Sequence, residues 1–101
     1  MGRLRRKFQS RTLQPSSPIF TPREWDAVVK TLHLSPRQAR IVELMLQGQK
    51  DKQIAATLES NIWTIRTHLT RMFRRLGIGD RVELVVRVFV TARELDDREK
   101  L

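Results

Sequence analysis

From Phe20 onward, apolar residues recur at helical spacing in blocks separated by cap and turn residues. Trp25, Val28, Val29 and Leu32 form the first block. Ahead of them, Thr21, Pro22 and Glu24 compose a capping box with proline at the first helical position, and Phe20 is placed to staple onto Trp25 across it. The same grammar restarts at Ser35, Pro36 and Gln38, continues through Ile41, Leu44 and Met45, and closes at Gly48. These patterns predict helices over 22–33 and 36–47.

A shorter block, Ile54, Ala55 and Leu58, predicts a helix over 51–58. Glu59, Ser60 and Asn61 follow, and Asn61 is a good N-cap for a fourth helix over 62–76. Two helices so closely spaced, the first carrying Ala55 and Ala56, make a helix-turn-helix in which small side chains let the second helix cross closely. Asp80 and Glu83 then open a last segment, VELVVRVFV, whose β-branched residues would also suit a strand. The capping box favours a helix over 80–95. The fold class expected is all-α, a small bundle of five helices built around the helix-turn-helix.

On the fourth helix, a buried row of Ile65, Leu69, Met72, Phe73 and Leu76 leaves Trp63, Arg66, Thr67, Thr70, Arg71 and Arg74 outside. That outer face is cationic and hydroxylated. A helix of about 14 residues is roughly 21 Å long and fits the major groove of B-form DNA. Arg forks onto guanine O6 and N7, and the Thr methyl packs on the thymine methyl, so Arg66, Thr67 and Thr70 are the expected base readers. Arg71 and Arg74 flank them and are expected to grip phosphates. Trp63 either joins the base-reading face or folds back toward the space left by the small Ser60, as Ile62 could also do.

The last helix presents two apolar faces: Val82, Val85, Val86 and Phe89 on one, and Leu84, Val88, Thr91 and Leu95 nearly opposite. Two apolar faces need two partners. The expectation is that one packs on the core and that Leu84, Val88, Thr91 and Leu95 meet a second copy of the chain. The alternative is that the helix over 22–33 covers the second face within one chain.

Composition narrows the function. A chain of 101 residues makes one small domain, and with no cysteine it has no disulfide, thiolate metal site or cysteine nucleophile. Twenty Lys and Arg against eleven Asp and Glu give a net charge of +9, which favours a polyanionic partner. The charge is uneven: Arg3, Arg5, Arg6, Lys7 and Arg11 precede any acidic residue, residues 35–79 hold eight bases against three acids, and residues 80–101 are nearly balanced. Residues 1–20, with Pro15, Ser16, Ser17 and Pro18, read as a disordered basic arm, although an organellar transit peptide has similar composition. Arg6 stands where a myristoylation signal starting at Gly2 needs Ser or Thr, and no apolar run approaches the roughly 18 residues of a membrane span, so no membrane partner is expected. His33 and His68 are isolated, and neither an HExxH motif nor a glycine-rich phosphate loop occurs, so no enzyme, metal or cofactor is expected.

The stretch LSPRQARIVELMLQGQKDKQIAATLESNIWTIRTHLTRMFRRLGIGDR, residues 34–81, resembles the LuxR-type four-helix DNA-binding domain of bacterial response regulators and quorum-sensing factors. The matching elements are L-S-P-R-Q, Gly48 followed by K-Q-I-A, T-I-R-T-H-L and R-L-G-I-G-D-R. The resemblance implies a cytoplasmic, nucleoid-associated regulator of transcription that dimerises through its last helix. It implies base reading at Arg66, Thr67 and Thr70, and phosphate contacts at Lys52, Thr64 and His68 or neighbours such as Lys50. Departures fall in the turn, where Ser60 and Asn61 replace an apolar residue and a Ser, and at Lys50, which replaces a usual Ser cap.

The expected organisation is therefore a basic arm over 1–20, an extra N-terminal helix over 21–34, the LuxR-type domain over 35–95 and a charged tail over 96–101. Double-stranded DNA and a second copy are the expected partners. No receiver or ligand-binding domain is expected ahead of it. Two other readings stay open at this point: a module like region 4 of sigma factors, working with RNA polymerase, and a protein-binding adaptor using the arm and the Val-rich helix.

Overall fold

The computed structural model describes residues 19–100, and apart from Ile19 and Phe20 the expected basic arm lies outside them. Among the described residues there are five helices and no strand: α1 (Pro22–Leu32), α2 (Pro36–Leu46), α3 (Asp51–Thr57), α4 (Ile62–Leu76) and α5 (Arg81–Glu99). The helix starts follow from local chemistry. Thr21 and Ser35 each accept from the third backbone N–H of their helix while Glu24 and Gln38 reach back to the cap N–H, and both helices place proline first. Asn61 Oδ1 accepts from Thr64 N at 2.9 Å, which makes it the N-cap of α4. Gly77, at φ 68°, ends α4 in the left-handed region that glycine enters without strain.

At Asp80 the cap differs in detail from the expected box. Asp80 accepts from Glu83 N, but the Glu83 carboxylate bonds Gly79 N at 3.0 Å, one residue earlier. The helix that follows runs to Glu99, so most of the expected charged tail continues α5, with an Asp96–Lys100 pair at 3.2 Å.

Every helix contributes to one core. Val28 of α1, Ile41 and Val42 of α2, Ile54 of α3, Ile65 and Met72 of α4, and Leu84 and Val88 of α5 are each 0% exposed. Each such side chain stabilises the fold by about 1.5–3 kcal/mol relative to exposure. α3 packs on α4 as the helix-turn-helix, α2 backs both, and α1 lies along α5. Phe20 stacks on Trp25 at 6.1 Å between ring centroids and meets Phe89 of α5 at 5.2 Å, so the expected staple also ties the start of α1 to α5.

This packing corrects the face assigned to a second copy. Leu84, Val88 and Thr91 are buried within the single chain and Leu95 is half-buried against the same core. The open face of α5 is the opposite one, with Val82 69%, Val86 53%, Phe89 41% and Val90 45% exposed. A helical wheel separates the two stripes but carries no information on which one α1 and the core occupy. α1 and the core share the covered stripe, and the stripe of Val82, Val86 and Phe89, expected on the core, stays open.

Candidate nucleic-acid interface

The outward face of α4 assembles as its periodicity predicts. Trp63, Arg66, Thr67, Thr70, Arg71 and Arg74 are all exposed and together line one shallow, open concavity. The helix supplies this face without a single carboxylate, and its last turn carries Arg74 and Arg75. Its inner row, Ile65, Leu69 and Met72, is buried, with Phe73 and Leu76 half-buried beside it.

Trp63 does not fold back toward Ser60; it is 71% exposed. With Asn61 fixed as the cap, Trp63 lies two residues before Ile65, roughly 200° away around the helix, so a buried Ile65 forces Trp63 outward. The guanidinium carbon of Arg66 sits 5.6 Å from the Trp63 ring centroid, a cation–π distance.

The residues expected at phosphates fall around this face in different ways. Lys50 and Lys52 are exposed at the start of α3, where the Lys50 N–H donates to Gln53 Oε1 at 2.8 Å. Thr64 is exposed at the start of α4, and its hydroxyl donates to Asn61 Oδ1 at 3.2 Å. His68 is half-buried, with its Nδ1 enclosed and without a hydrogen-bond partner. Burial lowers its pKa below the usual 6.5, and the cationic Arg71 and Arg37 lower it further.

The direction of that shift sets a pH dependence. Below about pH 6.5 the unfolded chain binds a proton at His68 more readily than the folded one. The stability His68 contributes is therefore full above that pH and is lost as pH falls toward the depressed folded value. Urea unfolding at pH 7.5 and pH 5.5 is expected to show a smaller acid loss in His68→Gln than in the parent chain; equal losses would refute it.

Three residues with no role assigned from sequence shape this region. Asp51, read only as a helix start, pairs with Arg81 at 2.7 Å and lies 3.7 Å from Arg66. Arg37 acts electrostatically on His68 from α2. Arg75 turns away from the concavity and donates to the Leu32 carbonyl at 3.0 Å, joining the ends of α4 and α1. Periodicity could not reveal these pairs, because their members belong to different helices.

A short helix, a tight turn and a second helix with an acid-free, arginine-rich outer face define a helix-turn-helix DNA-binding domain. Residues 32–88 match the family model of bacterial regulatory proteins of the luxR family, and the chain belongs to that family of DNA-binding transcription regulators. Among its relatives, the response regulator Rre1 of Synechocystis sp. is 33% identical over 72 residues, covering 71% of this chain and 29% of Rre1. The transcriptional regulator MalT of Yersinia enterocolitica is 31% identical over 67 residues, 66% of this chain and 7% of MalT. The E. coli regulator YhjB is 27% identical over 79 residues, 73% of this chain and 40% of YhjB. The chain thus spans less than half the length of each of these relatives. No solved structure matches it. Among the described residues no helix is long and apolar enough to cross a membrane.

Proposed function

We propose that this protein is a sequence-specific regulator that lays α4 in the major groove of double-stranded DNA and binds two-fold related half-sites as a homodimer. The observation that carries the reading is the outer face of α4, where Arg66, Thr67, Thr70 and Trp63 lie side by side without a carboxylate on the same helix. Arg66, Thr67 and Thr70 read base edges, and Trp63 adds an apolar surface beside Arg66. Lys50, Lys52, Thr64, His68, Arg71 and Arg74 hold the phosphates on either side and set the register. The half-buried position of His68 suits a single fixed phosphate contact better than a roaming one.

Self-association runs through α5, using the open stripe of Val82, Val86, Phe89 and Val90 in place of the covered one. Four exposed apolar side chains on successive turns form the kind of contiguous patch that marks a protein interface.

The test is selection of bound duplexes from a random pool at about 150 mM salt, where binding through phosphates alone is weakened. A palindromic motif with half-sites about one helical turn apart is the expected product. Arg66→Ala should then cost about 1–3 kcal/mol on that motif and relax one base position. Recovery of unselected DNA would reject unaided base reading and direct attention to RNA polymerase or another protein partner.

A further inference from the structure

Asp51 opens α3, and its side chain is 23% exposed, deeper than those of the cations around it. Its Oδ1 accepts from Arg81 Nη2 at 2.7 Å, while Oδ2 lies 3.7 Å from Arg66 Nε. Among the described residues, Arg66 alone of Lys50, Lys52, Arg66, Arg71 and Arg74 has a carboxylate within ion-pair distance. That one carboxylate therefore singles out the arginine at the centre of the α4 face.

We infer that Asp51 is a specificity-determining positioning residue: it engages Arg66 through the Nε edge and leaves the Nη1 and Nη2 end free for a base. This rests on the assignment of Arg66 as a base reader. An arginine without a partner gains similarly from any phosphate, and that gain is independent of sequence. A carboxylate beside Nε disfavours a phosphate on the same side by like-charge repulsion, while the free end of the fork still matches guanine O6 and N7. Asp51 thus makes the wrong contact poorer without weakening the right one, which is how specificity arises as a difference of affinities.

Two further contacts keep the arrangement in place. The short bond to Arg81 at the start of α5 holds Asp51 beside Arg66. Trp63 flanks the guanidinium carbon at 5.6 Å, limiting its excursion along the helix. Arg66 is thereby flanked by α3 and by its own helix before DNA arrives.

The experiment compares the full chain with Asp51→Asn, Arg66→Ala and the double variant, each titrated against the selected motif and against random duplex at several salt concentrations. Asn keeps the shape and an acceptor for Arg81 but removes the charge; Asp51→Ser, which retains an oxygen at the helix start, is carried in parallel in case Asn does not fold. In the Asp51 variant, binding to random duplex should tighten, its salt slope should steepen by about 0.9, and the motif-to-random ratio should fall about five- to tenfold. In the Arg66→Ala background the same substitution should change the ratio less than about twofold, because its effect passes through that arginine.

An unchanged ratio in Asp51→Asn, or an equal fall with and without Arg66, would overturn the positioning role. If Arg66→Ala itself left base preference untouched, the base-reading assignment would fail first, and the inference with it. The two failures are separated by the single Arg66 variant.

Discussion

Val88→Glu is expected to destabilise this domain more than any other single change considered. Val88 is 0% exposed, so the substitution forfeits about 1.5–3 kcal/mol of apolar burial and places an unpaired carboxylate in the core. The combined loss should exceed about 4 kcal/mol, a range reached when a core is disrupted or a charge is buried unpaired. Domains of this size are stable by about 5–15 kcal/mol, so the loss removes a large fraction of the total and the melt should shift far below that of the parent. Val86→Glu is the matched comparison. Val86 is 53% exposed on the opposite face, and the change should alter stability by less than about 0.5 kcal/mol. Thermal melts followed by circular dichroism separate the two, and sizing of the folded Val86 variant reports on self-association. A Val88→Glu chain melting near the parent would show that α5 is not seated on this face, and a Val86→Glu chain that stayed dimeric would remove the open stripe as the interface.

Ile65→Ala should produce the next largest effect, a loss of about 2–5 kcal/mol through transfer and cavity terms together. Ile65 is fully buried on α4, so truncation loosens the packing of that helix. For a domain of this size the melting temperature should fall by at least roughly 8 °C. The adjacent residue gives the opposite signature. Arg66 is exposed, and its removal should leave the melt almost unchanged while DNA affinity falls. Neighbours in sequence then separate stability from recognition, because successive residues on a helix point about 100° apart. If Ile65→Ala melted within a degree of the parent, the core drawn around α4 would be incorrect.

The expected effects differ in kind. Core variants act on every property at once, whereas those at Arg66 and Asp51 are read in DNA affinity and specificity, and the one at His68 is distinguished by its acid sensitivity.

How much could be read beforehand depended on the range of the interaction. The caps of α1, α2 and α4 link residues three positions apart, and a contact of that range is written directly in the residue order. The same holds for the Phe20–Trp25 staple and for the outer face of α4, since both follow from helical geometry around a known start. Trp63 shows how one local cue can oppose another. Its exposure follows from Asn61 as the cap and a buried Ile65, whereas the small Ser60 by itself suggests a space to fill.

The luxR-family membership of residues 32–88, the helix-turn-helix and the cationic row on α4 were determined by sequence, because each rests on spacing within one or two adjacent helices. Tertiary structure alone decided which stripe of α5 is covered, since two amphipathic faces of similar composition differ only in what packs on them. It also decided the partners of Arg66, Arg75 and Arg81. Asp51 and Arg81 are 30 positions apart, and Arg75 and Leu32 are 43, so chain proximity could not have paired them. Their ion pair and hydrogen bond exist because folding brings the ends of different helices to one place.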